Sequence, residues 1–304
     1  MQEGYRMLSV VVWCGLLAAS GWTASPEIEL RPAAVKPGDA LLITVTPAET
    51  PIGAVVASFL GERPLFTAYQ GRYVALMPVG GRTPPRTYPL YFKIILTDGQ
   101  VYRTTLYLKV GQRRFPTTRV RGMPKSKRKY MDPELLRRER EKLLAALAES
   151  APEPLWEGKF LVPVQGRVTS EFGHVRYVAG RFWGQHSGVD IAAPAGTPVR
   201  AANNGRIVLA EMLAMRGGTI IIDHGLHLFT ELNHLSAIEV KVGEVVKKGD
   251  FIGKVGSTGF ATGPHLHWGM RIATRGTDGS IHSTPVRPWN FAEQEWDLGP
   301  GHLQ

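Results

Sequence analysis

The chain has 304 residues, of which 43% are hydrophobic and 20% are charged, and its formal net charge is +10. This length permits two domains with separate cores, and the composition excludes collagen-like and bulk disordered chains. The single cysteine, Cys14, excludes disulfides within the chain.

Residues 1–24 have the order of charged, apolar and small residues that is typical of a secretory signal peptide. Arg6 precedes an apolar run of 14 residues at 7–20, which is shorter than the about 20 residues needed to span a membrane. We therefore expect export to the periplasm or cell envelope. A segment that stays uncleaved and anchors the protein in the membrane is the alternative. Because Cys14 lies in this segment, a metal site of the mature protein must use histidines and carboxylates.

Residues 25–110 are predicted to form a small β-sandwich of the immunoglobulin-like kind. Short apolar or alternating runs recur, such as those at 90–96 and 101–110, and turn residues separate them. Asp98 and Gly99, between these two runs, predict a hairpin with a two-residue type I′ loop. The sequence of this region contains no evident cluster of catalytic residues.

Residues 111–157 are predicted to be a basic linker with one helix. Within it, residues 113–142 include 12 Lys or Arg and 4 Asp or Glu. Asp132 is a suitable N-cap for a helix over about 133–149, because a proline and an acid follow it. For an exported protein, such a segment suits anionic envelope polymers or lipid head groups, and the alternative is a solvated linker surface. Without a nucleic-acid-binding motif, no nucleic-acid partner is expected.

Residues 158–292 are predicted to be a second β-rich domain, and residues 293–304 a C-terminal tail. The apolar runs are short, glycines separate them, and no long helix is evident. The expected fold class is therefore mainly β, with a sandwich, a helical basic linker and an antiparallel β domain in chain order.

Two histidine motifs of the second domain contain candidate metal ligands. In an extended segment, His186 and Asp190 lie on one face, and an imidazole with a carboxylate is a normal zinc pairing. His265 and His267 also share one face of a strand, because side chains alternate with a period of two. Either motif alone is more often a pair of surface or structural residues. His234 is a third element, and it strengthens the prediction of a metal site.

Seven segments of the second domain are informative because of their order and spacing. They are GRVTSEFG (166–173), HSGVDIAAPAGTPV (186–199), GRIV (205–208), IDHG (222–225), HLS (234–236), VGEVVKKG (242–249) and GSTGFATGPHLHW (256–268). In this order and at this spacing, residues 158–290 resemble the lysostaphin-type, or LytM-domain, family of zinc metallopeptidases that cut peptidoglycan.

The resemblance implies a hydrolase of cell-wall remodelling: a Zn2+-dependent peptidoglycan endopeptidase that cuts cross-links or stem peptides through a metal-activated water. His186, Asp190 and His267 correspond to the zinc ligands of the family. His234 and His265 correspond to the residues that flank the water, transfer protons and stabilise the oxyanion. D,D-endopeptidase activity is favoured over Gly-Gly cleavage, because no SH3-like wall-binding domain is apparent.

Other functions were weighed against this interpretation. A non-catalytic regulator that activates cell-wall amidases would lack one or more of these five side chains. A carrier module would need an acceptor lysine at a hairpin tip, and neither Lys248 nor Lys254 has that setting. A metal other than zinc remains open. A further hypothesis is that the sandwich and linker cover the site and hold the enzyme latent.

Several other residues carry weaker expectations. Leu232 stands where the family often has tyrosine, which puts one contact to water or substrate in doubt. Asp223 is a candidate partner for a metal ligand. The remaining histidines of the region are expected to be structural or exposed. They are His174, His224, His227 and His282.

Overall fold

The structure is a computed structural model, and it describes residues 10–13, 25–122, 129–130 and 132–298. It is mainly β, as the sequence predicts. It divides into two compact units, which consist of residues 1–114 with 272–284 and residues 115–271 with 285–304. Within the described residues, neither helix has the length and the apolar content of a transmembrane span.

The predicted signal peptide falls mostly on residues that the structure does not describe. Of residues 1–24, only strand β1 (Val10–Trp13) is described, and its backbone pairs antiparallel with β2 (Glu27–Arg31). Cys14 and the rest of the segment lie outside the described residues. The same holds for residues 299–304 of the predicted tail.

The first unit consists of two sheets. Its strands after β2 are β3 (Ala34–Val35), β4 (Ala40–Thr46), β5 (Ile52–Ser58), β6 (Glu62–Pro64), β7 (Thr67–Tyr69), β8 (Arg72–Pro78), β9 (Thr87–Leu96) and β10 (Val101–Val110). One sheet has the order β1-β2-β4-β8-β7, and the other has the order β3-β10-β9-β5. Both sheets contribute to one apolar core, which includes Ile43 of β4 and Leu90 of β9. The immunoglobulin-like identity of this unit stays a prediction.

The hairpin between β9 and β10 differs in one detail from the predicted form. Leu96 pairs with Gln100 through the backbone, so the loop has three residues instead of two. Gly99 adopts a φ of +89°, whereas Asp98 is not among the residues with positive φ. Asp98 instead accepts a hydrogen bond from Gln100 N through its side chain. The prediction of a type I′ loop was wrong, because that turn requires positive φ at both central residues.

The second unit is built around a long sheet. Its elements are β11 (Thr117–Val120), α1 (Pro133–Ala146), β12 (Arg167–Ser170), β13 (Val175–Val178), β14 (Arg181–Gln185), β15 (Gly188–Ala192), β16 (Pro198–Arg200), β17 (Gly205–Leu213), β18 (Gly217–Asp223), β19 (Leu228–Leu235), β20 (Ala237–Ile238), β21 (Val245–Val246), β22 (Phe251–Lys254), β23 (His265–Gly276), β24 (Ile281–Val286) and α2 (Trp289–Glu293). The main sheet has the order β12-β15-β23-β19-β18-β17-β21. The last residues of β23 and most of β24 belong to the first unit.

The predicted linker contains two elements that belong to the second unit. β11 pairs in parallel with β13. Helix α1 begins after the N-cap Asp132, whose side chain accepts from Glu134 N, and it ends at Ala146, slightly before the predicted end at 149. On the surface of the helix, arginines pair with acids of the same helix. Part of the basic charge of the segment is therefore balanced locally.

Candidate metal centre

Strand register places two of the candidate ligands side by side. β15 pairs antiparallel with β23, and Asp190 lies directly opposite His267. Directly opposite residues of paired strands project from the same face of the sheet, with Cβ atoms about 4.5–5.5 Å apart. From the other face of β23, Leu266 and Trp268 are fully buried in the core. The side-chain alternation that the H-x-H spacing predicts is therefore present.

His186 joins this pair from the segment before β15. Its Nε2 lies 2.9 Å from Asp190 Oδ1 and 3.0 Å from His267 Nδ1. His267 Nδ1 in turn lies 2.9 Å from the same oxygen of Asp190. The ligand atoms of the three residues all lie within 4.8 Å of one another. The structure thus brings together the three side chains that the sequence nominates as metal ligands.

The hydrogen bonds of His186 show that this cluster fits a metal ion. Its Nδ1 lies 2.9 Å from the backbone oxygen of Glu171. A carbonyl oxygen can only accept, so Nδ1 carries the proton. In the neutral ring, Nε2 then has no hydrogen, yet it faces Asp190 Oδ1 at 2.9 Å. Two acceptors at this distance repel each other unless a cation lies between them.

Asp190 keeps its negative charge in the cluster. Burial alone would raise the pKa of its carboxyl group, but the adjacent His186 and His267 side chains hold the pKa well below its usual range. Arg176 Nη2 lies 3.7 Å from the other carboxylate oxygen. The cluster therefore offers a metal ion one carboxylate and two imidazole nitrogens.

Gly188, between the first two ligands, is required by close packing. A Cβ atom at this position would lie 2.4 Å from the backbone oxygen of Trp268 and 2.8 Å from His267 Nε2. Any side chain here would therefore push β15 away from β23 and separate Asp190 from His267. The glycine of the H-S-G-V-D segment therefore allows Asp190 and His267 to lie close together.

His234 and His265 lie beside the cluster. Their ring centroids are 4.8 Å apart, and His265 Nε2 lies 3.8 Å from Asp190 Oδ1. Each ring donates Nδ1–H to a backbone oxygen, that of Thr258 for His234 and that of Gly263 for His265. The Nε2 atoms of both rings are therefore the ones left to accept a proton.

The backbone at His234 is unusual. Its φ is +67°, which few residues other than glycine adopt. The pairing of β18 with β19 shifts here: Gly218 faces Leu235, whereas Ile220 faces Leu232. This is a β-bulge, a feature that re-aims a side chain. Burial, together with the neighbouring histidine rings, lowers the pKa of His234 to about 4, so the ring is neutral near pH 7.

The sequence interpretation missed the backbone groups that orient the rings. The oxygens of Glu171, Thr258 and Gly263 fix His186, His234 and His265 respectively. Main-chain acceptors leave no signature in residue type, although these three positions lie in the segments GRVTSEFG and GSTGFATGPHLHW.

Asp223 does not have the role that the sequence suggested. Its buried carboxylate accepts hydrogen bonds from Ser150 Oγ, Ala151 N and Gly225 N. It therefore holds the segment after helix α1 against the β18–β19 turn instead of supporting a metal ligand. The reason is the position of Asp223 in the strand. It is the last residue of β18, whereas the His234 bulge lies beside Gly217 and Gly218 at the start of β18.

The side chains of other histidines form hydrogen bonds or ion pairs outside the cluster. His224 is fully buried between Asn204 O and Thr230 Oγ1, and burial lowers its pKa to about 4. His174 Nε2 lies 2.7 Å from Thr118 Oγ1. His282 pairs with Glu62 in the first unit.

Comparison with known proteins agrees with this geometry. Residues 184–281 match the family model "Peptidase family M23". This range contains all five residues of the site. The chain therefore carries a domain of peptidase family M23.

Three curated relatives illustrate the sequence similarity. The DD-carboxypeptidase/endopeptidase Mpg of Neisseria meningitidis serogroup B is 42% identical over 129 residues, which are 42% of this chain and 28% of that protein. The peptidoglycan DD-endopeptidase ShyA of Vibrio cholerae is 33% identical over 129 residues, 42% of this chain and 30% of that protein. The glycyl-glycine endopeptidase ALE-1 of Staphylococcus capitis is 43% identical over 100 residues, 32% of this chain and 27% of that protein. The match thus spans less than a third of each relative.

One solved structure resembles a larger part of the chain. A crystal structure described as a peptidase M23 from Pseudomonas aeruginosa superposes with a TM-score of 0.58 at 26% sequence identity. The superposition covers 84% of this chain and 94% of that one. The similarity of fold therefore extends beyond the matched domain.

Proposed function

We propose that the protein is a zinc-dependent peptidoglycan endopeptidase that hydrolyses peptide cross-links or stem peptides of the cell wall. The observation that carries the proposal is the convergence of His186, Asp190 and His267 on one point, with His234 and His265 beside them. The site of action is the periplasm or cell envelope, which rests on the signal-like residues 1–24.

His186 Nε2, Asp190 Oδ1 and His267 Nδ1 are the atoms that would hold the zinc ion. Tetrahedral zinc ligands at about 2.0–2.1 Å from the ion lie about 3.3 Å apart, and the three atoms here are 2.9 to 3.0 Å apart. When bound, zinc supplies a Lewis acid that polarises a peptide carbonyl and lowers the pKa of water towards about 7. Three protein ligands leave a coordination position open, as catalytic zinc sites do.

The two remaining histidines would move protons. His234 is neutral near pH 7, because burial lowers its pKa to about 4, and its Nε2 can accept a proton from an attacking water. His265 holds Nδ1–H on Gly263 O and turns Nε2 towards Asp190. One ring can therefore take a proton while the other returns one to the leaving amine. Asp190 stays ionised throughout and holds both ligand rings in place.

The proposed bond is a D,D-peptide bond of the cross-link. Relatives named as DD-endopeptidases align over 129 residues of this chain. The relative named as a glycyl-glycine endopeptidase aligns over 100 residues. The longer alignment favours the D,D bond as substrate, and Gly-Gly cleavage is an outcome of the test below.

Digestion of purified sacculi tests the proposal. Zinc-loaded full-length protein should convert cross-linked muropeptides to monomers, which mass spectrometry of the released fragments detects. His186→Ala should abolish the conversion. His282→Ala, which removes a histidine that pairs with Glu62 in the first unit, is the matched control and should retain it.

The same experiment distinguishes the regulator alternative. A protein that leaves sacculi intact in every metal state, yet stimulates a purified cell-wall amidase, would be a regulator and not an endopeptidase. Release of fragments that end in glycine would move the assignment to Gly-Gly cleavage.

A further inference from the structure

A chain of buried and partly buried charges connects helix α1 with the strand that carries His234. It begins at Glu139, which is only 3% exposed, although other acids of this helix, such as Glu141, lie at the surface. Glu139 accepts hydrogen bonds from Met215 N at 2.6 Å and from Arg216 Nη1 at 3.1 Å. A carboxylate is buried at a high desolvation cost unless it is paired in this way. The helix is therefore bonded to the tip of the β17–β18 hairpin, where Met215 and Arg216 lie.

Arg216 extends the chain towards the site. Its Nε lies 3.1 Å from Glu231 Oε1, and Glu231 also pairs with Arg271 of β23. Glu231 accepts a further hydrogen bond from the side chain of Asn233, the first residue of the bulge before His234. Each buried charge thus has an opposite partner, and the network links α1, the hairpin tip, β19 and β23.

Both backbone oxygens that orient His234 depend on the hairpin tip: one belongs to Arg216 of the tip, and the other belongs to Thr258, which is bonded to it. The backbone oxygen of Arg216 accepts from His234 N at 2.9 Å. The oxygen of Thr258 accepts from His234 Nδ1, and Thr258 Oγ1 in turn accepts from Gly218 N beside the tip. Met215 O accepts from Phe260 N, so the segment with Thr258 is fixed to the same tip.

This support matters because His234 has a backbone conformation that it would not adopt by itself. A non-glycine residue with φ of +67° persists where the surrounding structure determines it from several sides. Here the determining contacts are the oxygen of Arg216, the oxygen of Thr258 and the Asn233 side chain. Two of these three depend on the hairpin tip that Glu139 holds.

We infer that Glu139 is a positioning residue, which fixes the β17–β18 tip and through it the ring of His234. Helix α1, predicted as part of a linker, then supports the site through this one buried side chain. The catalytic part of this inference rests on the proposed role of His234, whereas the structural part does not.

Substitutions at two acids of the same helix test the inference. Glu139→Ala should lower kcat on cross-linked muropeptides by about 10- to 100-fold, a loss of the size seen when the partner that orients a side chain of a metal site is removed, with KM and zinc content unchanged. Glu139→Gln keeps an acceptor for Met215 N but loses the charge, so it should fall between Glu139→Ala and the wild type. Glu141→Ala removes an equal charge from the exposed face and is the matched control.

A second background shows whether Glu139 acts through His234. In the His234→Ala background, the further change Glu139→Ala should cause no additional loss of kcat, because Glu139 affects catalysis only through His234. An equal loss in both backgrounds would overturn the inference. A loss of activity that comes only from unfolding, with a normal kcat for the folded fraction, would also overturn the inference.

Hydrogen exchange gives a readout that needs no activity. The His234 amide is bonded to Arg216 O, so its exchange should accelerate by at least about tenfold in Glu139→Ala and stay unchanged in Glu141→Ala. Unchanged exchange in both Glu139 variants would overturn the inference. If the wild type cleaves no sacculi, the proposed function fails, and this measurement still decides whether Glu139 positions His234.

Discussion

The two units of the molecule differ in the kinds of side chain that they bury. Among the described residues, the buried side chains of the first unit are almost entirely apolar, with Thr44 and Thr274 as polar members. The buried charged residues of the described chain belong to the second unit. They are Glu139, Asp223, Glu231 and Arg271.

This difference indicates what each unit can tolerate. A core of apolar side chains depends on volume and shape, and it has no partner that a substitution leaves unpaired. A core with charges depends on each pairing, because a lone buried charge is costly. We therefore expect substitutions in the first unit to change stability, and substitutions in the second unit to change the site as well.

The largest effect is expected at Asp190. Asp190→Ala removes the one carboxylate of the cluster and leaves two imidazole rings. Zinc content should fall to background, and sacculus cleavage should fall by at least about 1000-fold, because the Lewis acid is lost. Elemental analysis and muropeptide release measure both effects. Full zinc binding by the folded variant would contradict the ligand assignment.

A cavity in the first unit should affect stability without affecting the site. Leu108 is fully buried in the apolar core, and Leu108→Ala should cost about 2–5 kcal/mol of unfolding free energy. Denaturant titration measures this cost. Zinc content of the folded protein should equal that of the wild type, and a loss of zinc at full folding would break the contrast between the units.

Acid should weaken the second unit through His224. Burial lowers its pKa to about 4, whereas an unfolded histidine titrates near about 6.5. The unfolded state therefore binds a proton first as pH falls, and stability drops between about pH 6.5 and 4 by roughly 3 kcal/mol. His224→Gln should lack this part of the pH dependence. Parallel pH profiles of unfolding free energy for both proteins would contradict the assignment.

The smallest effect is expected on the exposed face of helix α1. Arg137 and Glu141 form an ion pair with both side chains largely exposed, and such pairs contribute little to stability. Arg137→Ala should leave Tm and activity unchanged within error. A clear loss of activity would show that surface charge on this helix has a role beyond solvation.

The sequence was more informative about the residues that the structure brings together than about the surroundings of those residues. His186, Asp190, His234, His265 and His267 could be found because their spacing and order resemble those of a known family. Their convergence follows from the antiparallel register that sets Asp190 opposite His267. This register could not be read from the spacing alone, because it depends on pairing between distant segments.

Long-range pairing also explains what the sequence did not reveal. In the sequence, Glu139 resembles the other charged residues of helix α1. Only its contacts with Met215 and Arg216 distinguish it from them. The bulge at His234 depends on the offset between β18 and β19. Asp223 was a candidate partner for a metal ligand, but its carboxylate accepts from Ser150 and Ala151, which lie after helix α1. In each case the deciding contact joins residues far apart in the chain.

The most direct test of the account is anomalous diffraction from crystals of the zinc-loaded protein, collected on both sides of the zinc absorption edge. The account predicts one strong anomalous peak within bonding distance of His186 Nε2, Asp190 Oδ1 and His267 Nδ1. A peak bound to other side chains, or an empty cluster in crystals that hold zinc elsewhere, would contradict it.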